Sequence, residues 1–428
     1  MHSTSWSQGL SVSVGGRGVV SHTGSALTRL LADRVGLTGA LSKSLARPGF
    51  VPGRDRGRVL TDLAVVLADG GHRIGDIATL RDQAALFGSV ASMPTAWRCL
   101  HELTAAALDR VSAARARARR RVWELVVARH GRLPPSRTCY GDLGEVVAIR
   151  LDASIVVAHS EKENAEVLTE AIAQIPAKHR RRLLVTLDGA GASHPVVAHL
   201  STLNAAPGRQ VHYSIGFDLD GRTRTAIGLL PESAWEPALD AAGAGRADTD
   251  VAELTGLLRR GPDGDKLTGW PADMRVLVRR EPISPGAQIS LFEQHAGKRY
   301  QVIATNTGGG QVARLEARHR VHARVEDAIR TAKDTGLNSM PSRDYAINTA
   351  WCQAVAIACD LLAWARLLAL DGHLATAEPA TLRYRVLHVA ARLVRGQRRR
   401  HLKIPPSWPW ADELHRAFDR VLAIPAPT

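Results

Sequence analysis

Three acidic residues stand where folding alone gives them little reason to be. Asp152 interrupts the apolar run VVAIRLDASIVV, and a charge inside a strand buried on both faces is costly unless it is paired or ligates a metal. Asp188 closes a second apolar run, LLVTLD, and is followed by Gly189-Ala-Gly191, which would let another group approach the carboxylate closely. Open α/β sheets hold their ligands at the carboxyl ends of strands. Glu326 lies in a helical pattern from Ala313 to Asp334, with Val321, Val325, Ile329 and Ala332 as its apolar stripe. His319, His322, Glu326, Arg330 and Lys333 follow at spacings of three, four, four and three, so they share a neighbouring polar face. Oxygen ligands for a divalent cation, with cations beside them for a polyanion, is the chemistry these residue types offer.

Each feature also has a plainer reading. Asp188 would serve as the cap of the following helix, and Glu326 with Arg330 as an i,i+4 surface ion pair. Two histidines on a polar face are commonly solvated. The run Gly189-x-Gly191-x-x-His194 looks superficially like a dinucleotide fingerprint, but its third glycine is absent and no matching acidic residue ends a second strand. Asp152 has no comparable structural explanation.

The elements that must position these residues read in blocks. From about Ser25 to Val127 the pattern is helical, punctuated by Gly70-Gly71 and Gly88, with Ser92-Met-Pro as a helix start. Short helices and a turn fit either a helix-turn-helix DNA reader or a small helical domain of another kind. Arg115, Arg117, Arg119, Arg120 and Arg121 lie on the long helix that follows, as a solvated face or a phosphate-tracking one. After the linker Gly131-Arg-Leu-Pro-Pro-Ser the texture changes. Strands are expected at Glu145–Val157, Leu183–Leu187, Gln210–Phe217, Met274–Arg280 and Lys298–Thr305, and helices near Ala165–Ile175 and from His194. Asp240–Asp250 reads as a Gly/Ala-rich loop, and Gly336 as the residue that ends the Glu326 helix. This alternation indicates an α/β core.

Composition narrows the setting. The 428 residues carry 56 Lys+Arg against 41 Asp+Glu, a formal charge of +15. That length allows roughly two to four domains. Cys99, Cys139, Cys352 and Cys359 share no CxxC spacing, which excludes a zinc ribbon and a disulfide scaffold and suits a reducing cytosol. The amino-terminal residues lack an apolar signal core. The most hydrophobic stretch, Ala350–Leu370, is broken by Gln353, Asp360 and Arg366, so a buried helix is expected rather than a membrane span. Arginines spread over several segments favour nucleic acid over a membrane surface as partner, with coding bias toward arginine as the bland alternative.

The combination resembles the bacterial insertion-sequence transposases of the DDE class, whose catalytic core is RNase H-like. The likeness covers about residues 25–420. It is strongest in IRLDASIVVAHSEKE around Asp152, RRLLVTLDGAGASH around Asp188 and ARHRVHARVEDAIRTAKDTGLNSMP around Glu326. ARVED and AKDTGL resemble the insertion-sequence 1380-like branch. The family signature of Tyr, Arg, Glu and Lys falls on His319, His322, Glu326 and Lys333. Glu and Lys match, while His replaces both Tyr and Arg, with Arg320 and Arg324 nearby.

What the resemblance implies is an α/β fold: an RNase H-like mixed sheet flanked by helices. A flexible leader at 1–24 and an all-helical DNA-binding domain at 25–135 would precede a catalytic core at 136–218 and 299–370. An insertion at 219–298 and a basic segment at 371–428 complete the expectation. The implied activity is transposition by phosphodiester hydrolysis at element ends and strand transfer. Two Mg²⁺ ions, or Mn²⁺ in their place, would be bridged by Asp152 and held singly by Asp188 and Glu326. Lys333, Arg330, His322, His319 and Arg324 would contact DNA together with Arg115, Arg117, Arg119, Arg120 and Arg121. The implied partners are double-stranded DNA (terminal inverted repeats and target) and a second copy of the chain, in the cytoplasm at the nucleoid and away from membranes.

One departure stands out. Residues 158–182 hold a helix and polar sequence, too short for the two further strands of about five residues each that the family core places there. An active enzyme and a shortened, inactive copy therefore both remain open, as does a DNA-binding protein without catalysis or a nuclease unrelated to transposition.

Overall fold

The computed structural model describes residues 14, 16–152, 164–188, 193–262, 264–283, 291–396 and 399–427. The chain divides into two compact units, 1–114 with 332–428, and 115–331, a division that cuts across the segments read from the sequence.

In the second unit, β1 (Val147–Leu151), β2 (Arg182–Leu187), β3 (Gln210–Gly216), β4 (Glu236–Leu239), β5 (Gly245–Glu253), β6 (Arg275–Pro282) and β7 (Lys298–Thr305) form one sheet in the order β1-β2-β3-β7-β6-β5-β4. β1, β2 and β3 run parallel, and every other pairing is antiparallel. The apolar run of β2 is buried from Leu183 to Leu187, as a central parallel strand requires. Between β1 and β2 the described residues hold α1 (Asn164–Ala173) and no strand. Among the described residues β1 is thus the edge of the sheet, paired with β2 alone. The expected strand through Val157 stops in the described residues at Leu151, and residues 153–163 lie outside them. The segment read as an insertion supplies β4, β5 and β6 to this same sheet. Its supposed Gly/Ala-rich loop is in large part β5, paired with β6 from Asp250↔Arg280 to Glu253↔Leu277.

Strand alternation divides the sheet into two unlike faces. Leu183, Val185, Leu187, Val211, Tyr213, Ile215, Val276, Val278, Val302 and Ala304 share an apolar core with Leu168 and Ile172 of α1. Val196, Val197 and Leu200 of α2 (His194–Ala205) complete it. The opposite face carries Leu277 and Ile303, which pack on Leu315 of α3 (Val312–Arg320). α3 does not continue unbroken to Asp334: a 3₁₀ turn at Val321–Ala323 precedes α4 (Arg324–Ala332).

The first unit is mainly helical. Helices Ser25–Arg34, Leu37–Leu45, Arg56–Asp69, Met93–His101, Tyr345–Leu368 and Ala411–Ala423 accompany a three-stranded sheet of Val19–Val20, Ala391–Gly396 and Arg399–Lys403. The helix Tyr345–Leu368 is long and apolar enough to cross a membrane, yet Trp351, Ala354, Ala358 and Leu361 are fully buried in this unit. Gly336 takes φ 104°, and Trp351 Nε1 donates to its carbonyl at 2.9 Å. The basic helix Ala105–His130 has residues in both units.

Candidate active site

Register places the first two acids. Leu151 of β1 lies opposite Leu187 of β2, and the next residues are Asp152 and Asp188, at the carboxyl ends of two adjacent parallel strands. Neighbouring strands are about 4.8 Å apart, so the two backbones deliver their carboxylates side by side. Asp152 is therefore at a strand end rather than mid-strand. Two residues earlier, and so on the same face, stand Arg150 and Thr186, themselves register partners. Thr186 pairs in turn with Ser214 of β3, and Ser214 with Thr305 of β7. A row of polar side chains thus crosses four strands.

That row fixes the helix carrying the third acid. Hydroxyls of Thr186, Ser214 and Thr305 are 2% exposed or less and would be costly to bury unpaired. Thr186 Oγ1 meets His322 Nδ1 at 2.9 Å, and Ser214 Oγ meets His319 Nδ1 at 3.0 Å. Arg318 donates to Thr305 Oγ1 at 3.3 Å and Thr307 Oγ1 at 2.8 Å. Arg150 Nε donates to the Val321 carbonyl at 3.2 Å, where the helix tightens into its 3₁₀ turn. Glu326 follows His322 by four residues, about one helical turn farther on.

Electrostatics ties the three acids to one imidazole. Burial pushes the His322 pKa below its usual range, while the charges of Asp188, Asp152 and Glu326 all pull it back up and Arg150 opposes them. His322 Nε2 is buried without a hydrogen-bond partner. Neither Asp152, Asp188 nor Glu326 forms an ion pair with a described residue. Asp188 and Glu326 are exposed and Asp152 is partly so. Three carboxylates without an ion-pair partner among the described residues, and an orphaned imidazole nitrogen, suit a divalent cation with oxygen-rich ligation. The carboxylates stand open, since no three atoms from this cluster lie within 4.8 Å of one another.

The remaining expected residues separate. His319 and His322 are 3% and 9% exposed. They tether the helix to the sheet rather than forming a solvated or DNA-facing stripe, because the buried hydroxyls of β2 and β3 need partners. Burial pushes the His319 pKa down to about 3. Arg330 pairs with Asp327 at 2.8 Å, not with Glu326, and both Arg330 and Arg324 are exposed. Lys333 belongs to the other unit. Arg119 donates to Gln174 at 2.9 Å, and Arg117 and Arg120 are exposed, with Arg115 and Arg121 partly so. The Gly189–Gly191 turn lies outside the described residues.

Sequence reasoning passed over Arg150, Thr186, Ser214 and Thr305. The available signal was a polar residue two positions before each candidate Asp on an otherwise apolar strand. No curated protein matches the chain. Residues 137–426, well over half of it, match the family described as Transposase DDE domain group 1. That span contains the paired strand ends, the polar row and the helix bearing Glu326, and the chain belongs to the DDE transposases.

Proposed function

We propose that this chain is the transposase of an insertion sequence, of the branch marked by ARVED and AKDTGL, and that Asp152, Asp188 and Glu326 are its catalytic acids. The observation that carries the reading is the β1–β2 register, which sets Asp152 beside Asp188 under the imidazole that also feels Glu326. The three carboxylates would hold divalent metal, Mg²⁺ with Mn²⁺ as the substitute. Two such ions supply the charge that activates an attacking oxygen and stabilises a leaving one.

The chain's own part is positioning. Thr186 and Arg150 lock residues 321–322 onto the sheet, which fixes where α4 begins and hence where Glu326 projects. The exposed Arg324 and Arg330, with Lys333, would bind DNA phosphate, as would the arginines of the 115–121 run. Water is the nucleophile for cutting an element end, and the released 3′-OH for joining it to target DNA. Terminal repeats and target are the DNA partners, a second copy of the chain pairs the two ends, and the reaction takes place at the nucleoid in the cytoplasm.

The test is a duplex carrying the inverted repeats that flank the gene. Mg²⁺ should allow nicking and joining, and Asp188→Asn should abolish both while binding persists in EDTA. Binding with no nicks under any metal would leave only an occupant of element ends. Nicking without joining would make the chain a nuclease.

A further inference from the structure

Far from the three carboxylates in sequence, the helical unit gathers a second set of ligand-type groups. Asp69 is the last residue of the helix Arg56–Asp69 and is 5% exposed. A buried carboxylate at the negative end of a helix needs positive charge beside it. Two imidazoles supply the contact: His22 Nδ1 lies 2.7 Å from Asp69 Oδ2, and His388 Nε2 lies 3.5 Å from Oδ1 and 2.7 Å from the Asp69 carbonyl. The rings meet edge to face with centroids 4.9 Å apart. One ligand atom from each residue falls within 4.8 Å of the others, which no other group of described residues achieves.

Main chain rather than loose side chains builds this convergence. Thr23 N–H donates to the Val389 carbonyl at 3.0 Å and Gly24 N–H to that of Leu387 at 3.1 Å. A Cβ on Gly24 would stand 1.9 Å from the Val386 carbonyl oxygen, so only glycine allows the two segments to lie this close. His22, next to this junction, takes φ 53° and is the only non-glycine with positive φ among the described residues, an uncommon conformation. The junction thus delivers His22 and His388 to one side of Asp69, while Ser25 Oγ donates to Asp69 Oδ1 and fixes the carboxylate's orientation. The His22 and His388 side chains are 28% and 43% exposed, which leaves an entry path and room for a water.

We propose that His22, Asp69 and His388 form a Zn²⁺ site that joins the amino-terminal segment, the end of the Arg56–Asp69 helix and the carboxyl-terminal region. Two imidazole nitrogens, one carboxylate oxygen and an open fourth position make a donor set that zinc prefers over Mg²⁺ or Ca²⁺. Tetrahedral ligands at about 2.0 Å stand roughly 3.3 Å apart, so the contacts of His22 Nδ1 with Asp69 Oδ2 and of His388 Nε2 with the Asp69 carbonyl open by a few tenths of an ångström as the metal takes the place of the proton on each nitrogen, each ring keeping a proton on its other nitrogen. Binding therefore releases protons. The site is independent of the transposase reading.

The experiment uses the full chain, stripped with chelator and then held in excess Mg²⁺ so that the carboxylate cluster does not compete. Zn²⁺ titration by calorimetry should show one site per chain, with heats that vary with buffer ionisation. Co²⁺ in its place should give the visible bands of a four-coordinate nitrogen–oxygen site. His388→Gln, chosen because its side chain is well exposed, and His22→Gln should each weaken Zn²⁺ at least tenfold, while Asp188→Asn should leave it unchanged. The thermal midpoint should rise with Zn²⁺ in the wild type and stay flat in the two histidine variants. Absence of one-to-one uptake at micromolar Zn²⁺, or uptake unaltered by either histidine substitution, would show a hydrogen-bonded cluster only and overturn the proposal.

Discussion

Asp69 and Asp188 sit in clusters built on opposite plans. Around Asp69 every carboxylate oxygen has a partner, and the ligand atoms of His22, Asp69 and His388 close to within 4.8 Å. Asp152, Asp188 and Glu326 have no ion-pair partner among the described residues and stand farther apart. A buried carboxylate whose oxygens are all partnered holds chain segments together, whereas carboxylates left without partners are free to take a cation and the group it acts on. The helical unit repeats its plan at Asp62, which is buried and bonded to Arg29 at 2.7 Å. The carboxylate cluster instead gathers like charges at the rim of a sheet, an arrangement that repels itself until a cation arrives.

The largest effect should come from breaking the open cluster. Asp188→Asn should lower Mg²⁺-dependent nicking about a thousandfold, equivalent to roughly 4 kcal/mol, and leave the thermal midpoint unchanged or slightly raised because repulsion is relieved. Asp69→Ala should do the reverse. It strips a buried carboxylate from two histidines and a serine, costs about 2–4 kcal/mol of stability, and lowers nicking only as far as folded protein is lost. A stability loss in Asp188→Asn as large as that in Asp69→Ala would erase the contrast.

Acid should separate the two units. Burial of Asp62 pushes its pKa up from 3.8 to about 6, against the pull of Arg29. Between about 4 and about 6 the native chain then holds more protons than the unfolded one, so stability falls as pH rises. His22 works in the same direction: its hydrogen bond to Asp69 raises its pKa above 6.5. Its contribution is present below that value and lost as pH rises through the raised one. His319 has the opposite sign. Burial holds it neutral down to about 3, so between 6.5 and 3 the unfolded chain carries the extra proton and stability falls as pH drops, by several kcal/mol at the limit. From pH 6 to pH 4 the helical unit should therefore gain protection in amide exchange while the sheet unit loses it. Parallel changes in both would contradict these assignments.

Much of this was legible in sequence because strands and acids announce themselves locally. β7 matches its expected span, Lys298–Thr305, and β2 differs by one residue, since an apolar run between polar turns has few alternatives. β5 was illegible: GRADTDVAE has small and polar residues that read as loop, and its pairing with β6 overrides that preference. The Ala313–Asp334 helix read as continuous because its 3.6-residue pattern does not falter. Its break at Val321–Ala323 coincides with the Arg150 contact from another strand. Likewise the three acids were visible one by one, whereas the Thr186–Ser214–Thr305 row exists only in cross-strand register. No local pattern encodes that.

The smallest effect tests whether this row matters for chemistry or only for folding. Thr186→Val and Ser214→Ala each remove a hydroxyl from a buried imidazole, at His322 and His319 respectively. An unsatisfied buried polar group costs about 1–3 kcal/mol, so Thr186→Val should lower the thermal midpoint more than Ser214→Ala, which leaves the Ser214 carbonyl 3.3 Å from His319 Nδ1. Their histidines differ in surroundings, because only His322 is held among the charges of Asp152, Asp188 and Glu326. Loss of its tether frees the helix turn that sets Glu326, and a misplacement of about 1 Å is enough to cost a large factor in rate. Nicking measured well below the melting range should therefore fall about tenfold in Thr186→Val, with DNA affinity in EDTA unchanged, and stay near wild type in Ser214→Ala. Equal rates in the two variants would make the Thr186–His322 tether a folding contact and nothing more.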